Sequence, residues 1–271
     1  MDKLPRPHAS TRPRWQATPL VQVTAGLHVL AVAGLFSPVW PWSLGALAAN
    51  HAIITAAGLW PRSRWLGSNL THLPRNAPQV AITIDDGPDP EVTPAVLDLL
   101  DAHQAVATFF CIGDQVRRHP ALAREIIRRG HALGNHSQHH RHHFSVMLPG
   151  RIRREIAEAQ VSIEDATGWS PRYFRAPAGL RNVFLDPVLQ ELGLRLASWT
   201  RRGFDTRTGD ATLVLQRLTR HLRGGDILLL HDRHAALTNS GRPVVLQVLP
   251  ALLQALHAQG LHTVRLDPAV T

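Results

Sequence analysis

The stretch Gln79-Val80-Ala81-Ile82-Thr83-Ile84-Asp85-Asp86-Gly87-Pro88 decides the architecture. Residues 80–84 read as a buried strand, which stops abruptly at two carboxylates and a Gly-Pro turn. Outward from it, short apolar runs alternate with amphipathic stretches. The spacing predicts further strands over 107–112, 131–135, 172–175, 194–199, 227–231 and 262–266. Helices are predicted over 92–102, 121–129, 152–167, 185–192, 211–222 and 244–259, with Gly130 and Gly168 closing two of them. Repeated β-then-α units argue for a parallel sheet with helices outside, and about seven units suggest a barrel rather than an open sheet. The fold class expected is α/β, an incomplete or distorted (β/α) barrel.

Composition supports a packed domain. The chain has 271 residues, 44% hydrophobic and 18% charged, which excludes wholesale disorder. The single cysteine, Cys111, excludes a disulfide framework and a cysteine-cluster zinc site, and its apolar neighbours mark it as a core residue. The formal charge is +9, but the arginines are scattered and only one tyrosine is present, so no nucleic-acid partner is expected. No sequence feature calls for an obligate protein partner.

The region before the strand is different. From Trp15 to Trp60 there is no Asp, Glu, Lys or Arg. The run breaks at Ser37-Pro38-Val39-Trp40-Pro41-Trp42, and each half approaches the length of a bilayer crossing. Tryptophans stand at both ends and in the middle, as an interfacial belt would. The reading is a transmembrane helical hairpin in contact with membrane lipids. Lys3, Arg6, Arg12 and Arg14 precede it, and Arg62, Arg64 and Arg75 follow. By the positive-inside rule both ends lie in the cytoplasm, which places the protein in the inner membrane with its main domain on the cytoplasmic side. The domains expected are therefore 1–66, a basic N-terminus and apolar hairpin; 67–78, a linker; and 79–271, a catalytic domain.

In β/α folds reactive residues gather at the carboxyl ends of strands. Asp85-Asp86 fall there, as do His136-Ser137-Gln138-His139-His140, Arg175-Ala176-Pro177-Ala178-Gly179, Asp205 and His231-Asp232. Adjacent carboxylates are costly unless a cation or arginine partners them. One Asp and a His-x-x-x-His pair give three ligands and leave a position open, the layout of a catalytic metal site. A mixed oxygen–nitrogen set suits Zn²⁺, with Co²⁺, Ni²⁺ or Fe²⁺ as alternatives. Each element alone has a plainer reading: a turn, a solvated histidine loop, a satisfied core histidine. Their recurrence at the same end of different strands is what argues for a site.

These motifs, taken in order over about 79–266, resemble the polysaccharide deacetylase family, also called the NodB-homology family or carbohydrate esterase family four. Thr83-Ile84-Asp85-Asp86-Gly87-Pro88, His136-Ser137-Gln138-His139-His140, Arg175-Ala176-Pro177-Ala178-Gly179 and Leu229-Leu230-His231 carry the resemblance. It implies that Asp86, His136 and His140 hold the metal and that Asp85 is the general base. It further implies that Arg175 holds Asp85 charged and oriented, that His231 is the general acid, and that the Ala178 backbone N–H faces the oxyanion. Asp205 would orient Arg175 or His231, and His139, His142 and His143 match no ligand position. The segment Trp199-Thr200-Arg201-Arg202-Gly203-Phe204-Asp205-Thr206 departs from the family pattern. Arg202 stands where the family shows an acid, and Thr206 where it shows a tryptophan, so the usual aromatic wall is expected to be missing.

The activity implied is hydrolysis of an N-acyl group, acetyl first, from an amino sugar of a polysaccharide, oligosaccharide or lipid-linked glycan. The competing readings are a deformylase acting on a lipid-linked amino sugar and a catalytically silent carbohydrate- or metal-binding module. The presence of both Asp85 and His231 argues against the silent module.

Overall fold

The computed structural model describes residues 15–266, so Lys3, Arg6, Arg12 and Arg14 lie outside the described residues. The sheet is built on β1 (Gln79–Asp85), whose residues from Val80 onward are all buried. It is flanked by β2 (Ala107–Cys111) and β7 (Ile227–His231). The full parallel order is β5-β4-β3-β2-β1-β7-β6, with β3 (Ala132–Asn135), β4 (Tyr173–Phe174), β5 (Arg195–Leu196) and β6 (Arg201–Arg202). A short β8 (His262–Thr263) pairs with the first residues of β1.

This order forces curvature. The edge strands β5 and β6 are consecutive in the chain, with only Ala197–Thr200 between them. Five residue steps reach about 17 Å at most. The two edges must therefore curl towards each other, which gives the expected incomplete barrel rather than a flat sheet.

The helices cover the outside. They are α3 (Thr93–Ala102), α4 (Gly113–Arg118), α5 (Pro120–Arg128), α6 (Pro149–Thr167), α7 (Leu185–Leu192), α8 (Ala211–Thr219) and α9 (Val245–Ala258). α6 stops at Gly168, whose φ of 70° supplies the left-handed cap. The main core lies between one face of the sheet and α3, α5, α8 and α9, and includes Ile82, Ile84, Leu97, Phe109, Leu228, Leu230 and Leu252. Cys111 belongs to it and is fully buried.

One expected strand changes. The strand expected over 194–199 is instead β5, a crossing and then β6, because the chain here passes between the two sheet edges. The stretch 67–78 packs on the barrel: Leu70 bridges Ala197 as a parallel partner, and Leu73 is completely buried beside Phe110, Tyr173 and Trp199.

The apolar region does form a hairpin, α1 (Pro19–Gly34) and α2 (Trp40–Leu59), turning where Ser37-Pro38 predicted. The expected pair of membrane crossings is corrected, however. No helix among the described residues is long and apolar enough to cross a membrane. α1 has 16 residues, short of a full bilayer span. α2 has 20, but Trp40-Pro41-Trp42-Ser43 and the central Asn50-His51 thin its apolar content.

Candidate active site

The register brings the reactive residues together. Asp85 ends β1 opposite Phe110 of β2 and His231, the last residue of β7. Asn135 ends β3 opposite Cys111 and Phe174, so His136 and Arg175 emerge from adjacent strand ends. Asp85, Asp86, His136, His140, Ala178 and His231 among others line one cavity of about 590 Å³, with Arg175 buried behind Asp85.

Asp86, His136 and His140 offer ligand atoms that lie within 4.8 Å of one another. Nε2 of His136 and Nε2 of His140 are each 3.3 Å from Oδ1 of Asp86. His136 donates its Nδ1–H to the carbonyl of Arg175 at 2.8 Å, which orients the ring with Nε2 towards Asp86. Ser137 accepts the His140 backbone N–H at 3.1 Å, and its own N–H is held by Asn135 at 2.9 Å, so the loop presents both rings. Asp86, Ser137 and His140 all have left-handed φ values, of 78°, 64° and 51°. Such strain clusters where a site over-determines its backbone.

The electrostatics favour positive charge here. Burial pushes the Asp86 carboxyl up, but hydrogen bonds from His136 and His234 and the charges of His136 and His231 hold it well below the usual range. Burial pushes His136 down, yet Asp85 and Asp86 outweigh it and its pKa is raised. Burial and the charge on His136 press His140 down to about 4, keeping it neutral. Two convergent imidazole nitrogens on a carboxylate oxygen, in a field that attracts positive charge, fit a divalent cation.

Asp85 sits beside this cluster, its Oδ2 3.8 Å from Nε2 of His136. Arg175 donates to its Oδ1 at 2.7 Å, and also to Thr83 Oγ1 and the Ser198 carbonyl at 2.8 Å each. This arginine is completely buried, with its guanidinium 4.1 Å over the Phe110 ring. It spans the gap between β1 and the crossing from β5 to β6, so it closes the curled sheet as well as orienting Asp85.

Asp205 resolves to one of its two expected roles. Its two oxygens take the His231 Nδ1–H at 2.9 Å and the His231 backbone N–H at 2.7 Å. Burial pushes His231 down, but the Asp205 hydrogen bond and charge, helped by Asp85 and Asp86, raise it to about 9. His231 thus keeps a proton at neutral pH in a cavity wall. Ala178, at φ 54°, also lines the cavity.

Further residues shape the site, and one of them, His234, escapes a sequence reading. Nδ1 of His234 lies 3.3 Å from Oδ2 of Asp86, on a loop with no motif spacing. Asp232 is buried and accepts from Thr93 Oγ1 at 2.5 Å, pinning the end of β7 to the start of α3; a side chain at Gly87 would run into it. Trp199 lines the cavity, so an aromatic wall exists after all, supplied from before β6 rather than from position 206. His139 and His142 line the wall without joining the cluster. The ring of His139 donates to Glu155 of α6 at 2.8 Å.

A curled parallel sheet whose strand ends carry an Asp-His-His cluster, a second carboxylate on one side and a protonated histidine on the other is the layout of a metal-dependent hydrolase. The family profile described as polysaccharide deacetylase matches residues 72–197. The chain is 33% identical over 192 residues to a peptidoglycan-N-acetylglucosamine deacetylase of Bacillus cereus, covering 69% of this chain and 86% of that one. It is 34% identical to a chitooligosaccharide deacetylase of Azorhizobium caulinodans, over 69% of this chain and 91% of the relative. The crystal structure of a peptidoglycan N-acetylglucosamine deacetylase superposes with a TM-score of 0.68 at 25% identity, covering 74% of this chain and 92% of the other. The chain belongs to the polysaccharide deacetylase family.

Proposed function

We propose that the protein hydrolyses the N-acetyl amide of N-acetylglucosamine units in a glycan, releasing acetate and a free amine. The observation that carries this reading is the placement of Asp85 and His231 as register partners on β1 and β7, beside the Asp86–His136–His140 cluster. Asp86, His136 and His140 would hold a divalent cation, with zinc the assignment of choice for this donor set, which when bound would supply Lewis acidity for the amide carbonyl and for activating water at near-neutral pH. Asp85, fixed by Arg175, takes the proton of the attacking water. The backbone N–H of Ala178 is assigned to the oxygen that gains charge. An amine leaves poorly, so His231 hands its proton to the departing nitrogen, with Asp205 stabilising the imidazolium beforehand.

The test is acetate release from chitooligosaccharides, peptidoglycan fragments and lipid-linked amino sugars by zinc-loaded protein, with formate assayed in parallel. Acetate from any N-acetylglucosamine substrate supports the reading. Formate alone would replace it with a deformylase, and no release from any of them would leave only a binding module.

The site of action is proposed to be a membrane surface on the cytoplasmic side, with the hairpin seated among lipids rather than crossing them. Its large side chains support this: Val29, Leu30, Phe36 and Trp42 are each more than 70% exposed. A substrate made at that face, such as a lipid-linked amino sugar, would meet the cavity there. A periplasmic phosphatase active when fused after Thr271 would overturn the sidedness.

A further inference from the structure

We infer that the cavity holds an anion subsite centred on Arg202, which selects substrates bearing a carboxylate or phosphate next to the N-acetyl sugar. The inference rests on the deacetylase reading and names its substrate class. Arg201 and Arg202 form the edge strand β6 and face opposite ways. Arg201 is fully engaged: it pairs with Asp226 at 2.5 Å and donates to the carbonyls of Arg220 and His221. Arg202 lines the catalytic cavity and makes no ion pair or side-chain hydrogen bond among the described residues. Its Nε is buried without a partner. The guanidinium is held between two rings, 5.5 Å from the centre of Trp199 and 5.1 Å from that of Phe204.

A half-buried cation with an unpaired donor is costly unless a ligand answers it. The carboxylates that act on Arg202 are Asp205, Asp85 and Asp86. None is available to it: Asp205 has both oxygens on His231, Asp85 is taken by Arg175, and Asp86 belongs to the ligand cluster. A divalent cation at the cluster would, together with Arg175 and the protonated His231, outweigh those three negative charges. Arg202 is then surplus positive charge in the cavity wall. Arg118 at the end of α4 and Arg233 after β7 line the same cavity, again without an ion pair among the described residues. The rings that flank Arg202 hold its planar donor fork in place, which suits two-point binding of an oxyanion.

The test is direct binding to zinc-loaded protein of three probes: N-acetylglucosamine, N-acetylmuramic acid and N-acetylglucosamine 1-phosphate. The acidic probes are expected to bind tighter than the neutral sugar by about tenfold or more, with the advantage shrinking as salt is raised. An advantage confined to muramic acid identifies a carboxylate, and one confined to the phosphate ester identifies a phosphate. Arg202→Gln should abolish most of the difference, and Arg202→Lys should retain part of it. Equal affinities for all three probes would overturn the inference. So would a difference that survives intact in Arg202→Gln, since the metal would then be the anion's partner. Turnover of neutral chitooligosaccharide by the unaltered protein is read separately, so a failed deacetylase assay and a failed anion subsite are told apart.

Discussion

At the scale of single residues the site divides into groups that hold the metal and groups that move protons, and substitutions should separate them. His136→Ala removes one of three ligand nitrogens or oxygens, and metal analysis should show most of the bound ion lost together with activity. Full occupancy in that variant would dismiss the cluster as the binding site. Asp85→Asn keeps the shape and the Arg175 contact but cannot accept a proton. Metal should stay, while kcat falls by roughly 10²–10⁴. His231 gives a prediction in pH. It acts only when protonated, so kcat should decline as pH rises through its pKa, at or somewhat below about 9 once a cation offsets Asp86. Asp205 supplies the largest upward pull on that pKa, against burial. Asp205→Asn should therefore move the basic limb of the profile to lower pH, and an unmoved limb would remove His231 as the acid. The charged and ligand residues Asp85, Asp86, His136, His140, Arg175, Asp205 and His231 are all legible in sequence, because each lies at or shortly after the end of a predicted strand. His234 is not, and Arg202 is legible only as a departure from the family pattern. What matters for His234 is a contact with Asp86, far away in the chain, and what matters for Arg202 is that the nearby carboxylates are all engaged elsewhere; no local spacing encodes either.

At the scale of elements, the strands that carry long apolar runs are legible, and the short β3, β4 and β8 also fall within predicted runs, but the division of the stretch expected as one strand over 194–199 is not legible. β1, β2 and β7 announce themselves by uninterrupted burial. β5 and β6 have two residues each and no period to detect, so the crossing between them is visible only once the sheet has curled. That crossing matters, since its carbonyls at Ala197 and Ser198 hold Arg175. The turn that carries Ala178 is equally exacting. Gly179 has a φ of 74°, and a side chain there would meet the Trp199 ring and Pro61. Gly179→Ala should cost about 1–3 kcal/mol, through both the backbone conformation and the crowding, and should lower kcat by displacing the neighbouring Ala178. Gly150, near the start of α6, has open space around it. Gly150→Ala should be neutral or stabilise by about 0.5–1 kcal/mol. Thermal denaturation of the two variants checks the contrast, and equal effects would mean the turn is not constrained as described.

At the scale of the whole molecule, the hairpin is built the opposite way round from the barrel. Its buried residues are small or polar: Ala31 in α1, and Ser43, Asn50, Ala57 and Gly58 in α2. Across the seam Thr24 donates to Asn50 at 3.1 Å, and the His28 and His51 rings meet at 3.3 Å. The large apolar side chains point outward, which is costly in water and natural against hydrocarbon. The root of the hairpin is tied to the catalytic domain: Trp15 donates to Asp186 at 2.8 Å, Arg181 donates to the Ser63 carbonyl, and Pro61 packs by Gly179. Arg62, Arg64, Trp60 and Trp65 are exposed around that root, a basic and aromatic collar suited to anionic head groups. The far end, from Phe36 to Trp42, carries no charge, and Phe36 is 88% exposed. Burying such a tip in lipid is worth about 1.5–3 kcal/mol for each large side chain. The protein should therefore sediment with vesicles containing anionic lipid, and replacing Phe36, Trp40 and Trp42 together by Ser should cut the bound fraction by at least about tenfold. Turnover of a soluble chitooligosaccharide should stay near normal in that variant, because the tip lies at the opposite end of the hairpin from the Pro61–Gly179 contact. Vesicle binding that survives the triple replacement would assign attachment to the basic collar alone and leave the tip without a lipid role.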